Sequence, residues 1–223
     1  MEKIKLDQRL LACAQFVRKG SRLADIGTDH AYLPTYLVQS GKISLAYACD
    51  INENPLKSAK ETIQKYSVQE QIELRLCNGL EKIEKQEIAD IVIAGMGGEL
   101  IIEILSACDY IKSENLRLIL QPMSKAHLLR RFLCENGFEI LDETACASNG
   151  KIYTVLCCEY TGETQENNDK FYYFGRLIEK TDEYSEKYKQ KIKNSILKQA
   201  NGILKSRPCD KHAKELLNIC EKI

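Results

Sequence analysis

Residues 22–32 read Arg-Leu-Ala-Asp-Ile-Gly-Thr-Asp-His-Ala-Tyr, a short apolar run that ends at a glycine. The run from Arg22 to Ile26 predicts a β-strand, and the apolar spacing from Tyr32 to Gln39 predicts a helix. Gly27 lacks a Cβ, so the chain can turn sharply there and a ligand can approach its backbone. A strand, a glycine turn and a helix in this order predict one unit of a parallel α/β sheet.

The same alternation of strand and helix continues along the chain. Further strands are predicted at 45–49, 72–77, 91–94 and 116–120, and further helices at 6–17, at 55–66, from 98 onward and at 125–135. Two last strands, at 138–145 and 152–159, flank Asn149-Gly150, a strong hairpin signal. Five alternations predict a parallel sheet with right-handed crossovers, closed by a hairpin in which one strand is antiparallel.

The sequence changes character at Thr161. Residues 161–169 are polar and predict a linker. From Phe171 to Leu204 apolar residues recur every three or four positions, which predicts one long amphipathic helix, and 213–220 predict a short returning helix. We therefore expect two domains, residues 1–162 and residues 163–223, of which the second is an α-helical coiled-coil hairpin.

The composition narrows the class of protein. The chain has 223 residues, 44% of them hydrophobic, and 32 basic residues balance 32 acidic ones. Zero net charge gives no support to a nucleic-acid partner, so such a surface must come from local clustering. None of the ten cysteines forms a Cys-x-x-Cys pair, which indicates free thiols and no metal site. A charged N-terminus and the lack of an apolar run of about 20 residues predict a cytoplasmic protein without membrane association, and we expect a monomer.

The charges around the glycine turn indicate which cofactor the sheet would bind. The Gly-x-Gly-x-x-Gly fingerprint of dinucleotide-binding sites is absent, because Asp29 and Tyr32 occupy its second and third glycine positions. Asp25 and Asp29 would repel a pyrophosphate and attract a cation. S-adenosylmethionine (SAM) carries an ammonium and a sulfonium group but no phosphate. The sequence therefore predicts a Rossmann-like, SAM-dependent methyltransferase sheet, and it disfavours an NAD-dependent enzyme.

The ends of the next two strands supply further predicted cofactor contacts. Asp50 lies 23 residues after Gly27, where an acid is placed to bind ribose hydroxyls, and Ile51 is placed to pack on the adenine ring. Asn78 and Gly79 follow the third strand, where the Asn78 side chain can read the adenine amine. The alternative role of Asn78, and of Asp25 before it, is that of a turn or helix-cap residue.

The fourth strand runs into Ala94-Gly95-Met96-Gly97-Gly98, which we expect beside the reactive methyl group. Gly95, Met96 and Gly97 are therefore predicted cofactor contacts, since glycines allow close approach of the backbone. Enzymes that methylate the exocyclic amine of adenine resemble one another in an Asn-Pro-Pro-aromatic sequence at this place, and this chain lacks it. If the target is a base, the sequence favours a ring nitrogen.

Four segments also carry a family resemblance: Ala24 to Pro34, Asn78-Gly79-Leu80, Ala94 to Gly98, and Leu120-Gln121-Pro122-Met123. They resemble the TrmK family of bacterial tRNA (adenine-22-N1)-methyltransferases. The resemblance covers most of residues 1–160, and it extends in architecture to a coiled-coil helical domain at the end. It implies SAM as the cofactor, tRNA as the partner, and N1 of the adenine at position 22 as the methylated atom. Asn78 departs from the family pattern, which has an acid there.

The chemistry of adenine N1 suggests roles for the residues after the glycine turn. N1 has an in-plane lone pair and needs no base to remove a proton, so alignment with the methyl group matters most, worth on the order of 7–11 kcal/mol at best. Because methylation makes the base positive, a nearby carboxylate is stabilising. We assign this catalytic role to Asp29, with His30 and Tyr32 shaping the pocket. Alternatively, His30 is a packing residue and Tyr32 the first core residue of its helix. A paired adenine would first have to flip out of the helix.

Basic residues gather in three places despite the zero net charge. Residues 187–207 contain seven cations and no acid, the first 22 residues are net basic, and the helix at 125–135 adds three cations. We predict RNA phosphate contacts from these groups, namely from Lys187, Lys191, Lys198, Arg130 and Arg131. The alternative for the lysine run is a solvated helix face. Two other functions stay open, a small-molecule SAM-dependent methyltransferase and a non-catalytic RNA-binding module.

Overall fold

The computed structural model describes residues 3–220, so residues 1–2 and 221–223 of the two expected domains lie outside the described part. Its seven strands are β1 (Arg22–Ile26), β2 (Leu45–Asp50), β3 (Ile72–Leu76), β4 (Asp90–Gly97), β5 (Arg117–Ser124), β6 (Phe138–Ser148) and β7 (Lys151–Tyr160). They form one sheet in the order β3-β2-β1-β4-β5-β7-β6. Strands β1 to β5 are parallel, and β7 is antiparallel to both β5 and β6. The predicted α/β sheet with one antiparallel strand is confirmed.

Five helices cover the two faces of this sheet. They are α1 (Gln8–Phe16), α2 (Tyr32–Gln39), α3 (Glu53–Lys65), α4 (Gly98–Ser106) and α5 (Ala126–Glu135). One buried cluster joins α1, α2 and α3 to the sheet through side chains such as Leu33 and Ile63. A second cluster joins α4 and α5 to the other face, for example through Ile101. β1 contributes Leu23 to the first cluster and Ile26 to the second, so this strand is buried on both faces.

β4 and β5 are longer than the sequence predicts. A register shift at Gly95 in β4 and another at Met123 in β5 accompany the pairing of the glycine segment with β5, so that Met96 lies opposite Pro122 and Gly97 opposite Ser124. Glycine and proline count against a strand in a sequence pattern, which is why both strand ends were missed. Pro122 therefore lies inside β5, and α5 begins only at Ala126.

The prediction of a single helix from Phe171 to Leu204 is wrong, because the chain breaks at Gly175. α6 (Asp169–Phe174) is followed by a 3₁₀ turn, and α7 (Glu183–Ser206) begins after Asp182, whose side chain caps the first backbone N–H groups. Gly175 has a φ of +60°, and a Cβ there would collide with the Glu143 carboxylate. α8 (Lys211–Cys220) packs against α7 through a separate apolar cluster. The C-terminal part is thus a helical hairpin.

All ten cysteines are free thiols, as predicted, and eight of them are buried. Burial raises the pKa of thiols such as those of Cys13 and Cys158, so they stay protonated and pack as small apolar groups. Within residues 3–220, no helix is both long enough and apolar enough to cross a membrane.

Candidate active site

The carboxyl ends of β1, β2 and β4 surround a cavity of about 360 Å³ at one edge of the sheet. β1 lies between β2 and β4, so the segments that follow these three strands meet there. We name this space the strand-end cavity. Seven of the nine predicted cofactor residues line it, namely Gly27, Asp50, Ile51, Asn78, Gly79, Gly95 and Met96.

A second cavity of about 450 Å³ adjoins the first, and we name it the rim cavity. Its wall includes an eighth predicted cofactor residue, all three predicted catalytic residues and two cations, namely Asp25, Asp29, His30, Tyr32, Lys5 and Arg9. Gly27, Asp29, Ala94 and Gly95 line both cavities and form the boundary between them. A single extended ligand that passes Gly27 can therefore occupy both.

Glycines at this edge are required by backbone conformation and by close packing. Gly27 has a φ of +72°, and a Cβ there would collide with the end of the Met96 side chain. Gly98 begins α4, and a Cβ there would lie 2.6 Å from the backbone carbonyl oxygen of Lys125. Gly97, the ninth predicted cofactor residue, lines neither cavity; it pairs with Ser124 of β5 in the sheet.

Asp25 is a buried carboxylate at the end of β1. Its Oδ2 accepts a hydrogen bond from the Thr28 hydroxyl at 2.6 Å. Burial raises the pKa of Asp25 to about 6, while the Thr28 hydrogen bond and the charge of Arg9 act in the opposite direction. The carboxylate is therefore largely ionised at pH 7 and becomes protonated as the pH falls through about 6.

The residues after β2 and β3 present different groups to the strand-end cavity. Asp50 accepts a hydrogen bond from the backbone N–H of Asn52 at 2.9 Å, which holds its carboxylate at the cavity wall. Ile51 is 62% exposed, and this exposed fraction is high for a large apolar residue. The Asn78 amide donates to the Glu81 carboxylate at 3.2 Å, and its backbone carbonyl accepts from the N–H of that residue. Asn78 therefore has the turn role that we considered for it, while it also lines the cavity.

The three predicted catalytic residues are exposed and line the rim cavity, and Asp29 also lies at the boundary with the strand-end cavity. Asp29 has a left-handed φ of +54°, rare for a non-glycine residue, and its side chain is 70% exposed. The rings of His30 and Tyr32 stack with centroids 5.0 Å apart and an angle of 13° between their planes. Tyr32 is 43% exposed, so the alternative that it is a core residue of α2 is wrong, and His30 is equally open to solvent.

Arg9, one of the cations that make the first 22 residues net basic, is a residue of this site that its sequence context does not indicate. It extends from α1 across the rim cavity and donates through Nη1 to Gln121 Oε1 at 2.9 Å. The same oxygen accepts from the backbone N–H of Gly95 at 3.0 Å. Because Gln121 is fully buried, these two hydrogen bonds hold the Arg9 side chain and the Gly95 backbone in defined positions. In the sequence, the polar residue Gln121 directly after the apolar run of β5 is the feature that could have indicated such a contact.

Arg130 is fully buried, which contradicts the predicted contact between this side chain and RNA phosphates. Its guanidinium forms an ion pair with the buried carboxylate of Glu143 on β6. It also donates to the backbone carbonyls of Tyr172 and Tyr173 at 2.8 and 2.9 Å, and to the Tyr188 hydroxyl at 3.1 Å. A guanidinium enclosed between α5, β6 and the C-terminal helices cannot reach a phosphate.

The other four predicted RNA contacts lie on the surface. Arg131 and Lys187 each form an ion pair with an acidic neighbour. Lys191 donates to the carbonyl oxygen of Ile152 at 2.5 Å, and Lys198 is exposed. Spacings of four and seven residues place Lys187, Lys191 and Lys198 on one face of α7. They form a cationic stripe along the C-terminal hairpin.

A family model described as a methyltransferase domain matches residues 6–156, which include all seven strands except the last residues of β7. The tRNA (adenine(22)-N(1))-methyltransferase of Bacillus subtilis is 42% identical over 159 residues, which are 71% of this chain and 67% of that protein. The chain belongs to the TrmK family.

Solved structures of TrmK proteins share this architecture over the whole chain. TrmK from B. subtilis superposes with a TM-score of 0.82 at 33% identity, covering 99% of this chain and 96% of that one. TrmK from M. capricolum, solved with the natural cofactor product S-adenosyl-homocysteine, superposes with a TM-score of 0.81 at 30% identity, covering 97% and 95%. The likeness to TrmK therefore includes the C-terminal helical hairpin.

Proposed function

We propose that this chain transfers the methyl group of SAM to N1 of an adenine in tRNA, at position 22, the position in its relatives' names. The observation that carries the proposal is the joining of the strand-end and rim cavities at Gly27, Asp29 and Gly95. This boundary is where a donor bound along the strand ends meets a base that enters from solvent.

The strand-end cavity fits the adenosine half of SAM. The Asp50 carboxylate is placed to accept hydrogen bonds from ribose hydroxyls, and the exposed Ile51 side chain offers an apolar surface to the adenine ring. Gly79 and Gly95 have positive φ angles and let the backbone approach the ligand. When bound, SAM supplies a methyl group on a positively charged sulfur.

The rim cavity fits the amino-acid half of SAM, because it is lined by a carboxylate that can bind the ammonium group and by a guanidinium that can bind the carboxylate group. Asp25 would accept hydrogen bonds from the ammonium group, and Arg9, held by Gln121, would donate to the carboxylate. An ammonium beside Asp25 favours its ionised form and so opposes the effect of burial on its pKa.

Asp29, His30 and Tyr32 are proposed to act on the adenine. N1 attacks with its lone pair, so the protein has no proton to remove, and orientation of the base is the main requirement. The stacked rings of His30 and Tyr32 are exposed enough to support a flipped base. The Asp29 carboxylate, at the boundary of the cavities, stabilises the positive charge that the base gains.

The C-terminal hairpin is proposed to hold tRNA while residues 1–162 carry out the chemistry. Lys187, Lys191 and Lys198 line one face of α7, and Arg131 is exposed on α5. Spaced cations of this kind bind phosphates without reading sequence. A large RNA also suits a rim cavity whose residues Asp29 and Tyr32 are open to solvent, whereas many enzymes that act on small molecules close a loop or domain over the substrate.

The direct test is methylation of unmodified tRNA with isotope-labelled SAM, followed by mass analysis of the nucleosides. The expected product is 1-methyladenosine, and a matched transcript with guanosine at position 22 should give none. Labelled 1-methyladenosine from both transcripts would contradict the position. Methylation of free nucleosides or other small molecules, with no reaction on tRNA, would support a small-molecule enzyme instead.

A further inference from the structure

A groove of about 360 Å³ lies between the end of β5, β7 and the face of α7, and the proposed reaction does not use it. We name it the junction groove. Its wall combines aromatic, cationic, apolar and small polar side chains, among them His127, Tyr153, Tyr173, Lys125, Lys191, Met123 and Ser124. None of its lining residues, all within the described range, is acidic. This volume is within the usual range for binding sites of small organic groups.

The aromatic side chains of the groove form preformed stacking surfaces. The rings of His127 and Tyr173 stack with centroids 4.8 Å apart and an angle of 10° between their planes. Burial and the neighbouring cations lower the pKa of His127, so its imidazole is neutral at pH 7. Lys191 lies over the ring of the buried Tyr153, 5.4 Å from its centroid, and brings a positive charge to the same space.

The groove lies beside residues Gly97 and Gly98, which directly follow Gly95 and Met96 of the proposed active site. Ser124, which lines the groove, pairs in the sheet with Gly97. The backbone of Lys125, also in the groove wall, packs against Gly98 at the start of α4. β4 and β5 are neighbouring strands, so Gly95 at the boundary of the two cavities and the groove lie at the same end of the sheet. An RNA strand that places one base beside Gly95 therefore brings an adjacent nucleotide toward this groove.

The buried Arg130 holds the groove in shape before anything binds. Its guanidinium donates to the backbone carbonyl of Tyr173 and to the hydroxyl of Tyr188, and both tyrosines line the groove. These bonds link α5 to α7 across the junction between the sheet and the hairpin. A preformed groove loses little conformational entropy when a ligand enters.

We propose that the junction groove binds an unpaired tRNA nucleotide adjacent to the methylated adenosine. Its base stacks on the His127–Tyr173 pair, and its phosphate approaches Lys191. Flipping the target base unstacks its neighbours, and single-stranded bases are commonly held on aromatic side chains. This inference rests on the proposed function, because it assigns a second contact to the same substrate.

The test is a double-mutant cycle on both molecules. Wild type and Tyr173→Ala would be assayed with an intact tRNA transcript and with transcripts that carry an abasic site 5′ or 3′ of the target adenosine. We expect one abasic site to raise the KM of the wild type about 10-fold, the usual scale of one stacked base. Tyr173→Ala should raise the KM for intact tRNA by a similar factor and lose its sensitivity to that abasic site. Tyr184→Ala, an exposed tyrosine of α7 outside the groove, is the control and should behave as wild type.

The outcomes separate cleanly. The inference is overturned if neither abasic site affects the wild type, or if an abasic site raises the KM of wild type and Tyr173→Ala by the same factor. SAM titration verifies that Tyr173→Ala is folded; if it is not, Lys191→Ala replaces it, with a neutral methylphosphonate in place of the adjacent phosphate. If wild type methylates none of the transcripts, the proposed function itself has failed.

Discussion

At the ends of β1 and β2, the carboxylates of Asp25, Asp29 and Asp50 line cavities, whereas between α5 and β6 the charges of Arg130 and Glu143 are enclosed together. Arg130 and Glu143 neutralise each other, and the guanidinium also donates hydrogen bonds to two backbone carbonyl oxygens. The three carboxylates that line cavities have empty space beside them that a cation can enter. Charged residues that the sequence alone does not distinguish thus stabilise the fold in one region and, by our proposal, bind a ligand in the other.

The largest effect expected from this comparison is on stability. Arg130→Ala should lower the free energy of unfolding by about 3–5 kcal/mol, because it leaves the Glu143 carboxylate buried without its partner. Arg131→Ala, at the adjacent residue, removes a surface ion pair with Asp169 and a cation–π contact with the Tyr172 ring, and it should cost about 1 kcal/mol. Chemical denaturation measures both. An equal decrease in the free energy of unfolding in the two variants would show that the buried Arg130–Glu143 ion pair stabilises the fold no more than the surface pair does.

The second largest expected effect is on the turnover rate and comes from Asp29 at the boundary of the two cavities. Asp29→Ala should reduce kcat about 100-fold, the scale of one preorganised electrostatic contact in a transition state, with an unchanged Kd for SAM. Glu61→Ala, an exposed acid of α3 remote from both cavities, is the matched control. Single-turnover methylation of tRNA gives the rate, and a kcat for Asp29→Ala equal to that of the control would remove the catalytic role.

A smaller effect is a pH dependence of SAM binding that arises from Asp25. Since its pKa is about 6 in the absence of ligand and only the ionised form pairs with an ammonium, SAM affinity should fall about 10-fold from pH 7 to pH 5. Asp25→Asn should bind SAM more weakly at pH 7 and lack this 10-fold change. A wild-type affinity that stays constant over this range would place the ammonium elsewhere.

The contribution of Asp25 to the stability of the ligand-free protein changes with pH in the opposite direction. The folded-state pKa of Asp25 lies above its ordinary value of 3.8, so the folded protein binds this proton more tightly than the unfolded chain does. The contribution of Asp25 is therefore most favourable below about pH 4 and is lost as the pH rises through about 6. The stability difference between wild type and Asp25→Asn, measured by denaturation from pH 4 to pH 7, isolates this contribution.

Much of the sheet and of the strand-end cavity could be predicted from local patterns. Gly27, Asp50 and Gly95 each end an apolar run, and parallel strands place such ends at one edge, so their proximity follows from topology. The position of Arg9 could not be predicted, because it depends on how α1 packs across the sheet. Arg130 was misassigned for the same reason, although an acid inside β6, Glu143, was a signal that a buried partner exists. The break at Gly175 was hidden by apolar spacing that continues through it.

The most direct test of the central claim is a calorimetric titration of SAM into wild type, Asp50→Ala and Glu53→Ala. We expect one site in the wild type and a Kd about 10- to 100-fold higher in Asp50→Ala, the scale of hydrogen bonds to a charged group. Glu53→Ala, an acid three residues away on α3 that lines neither cavity, should match the wild type. No binding by the wild type, or the same Kd in all three proteins, would contradict a SAM site at the ends of these strands.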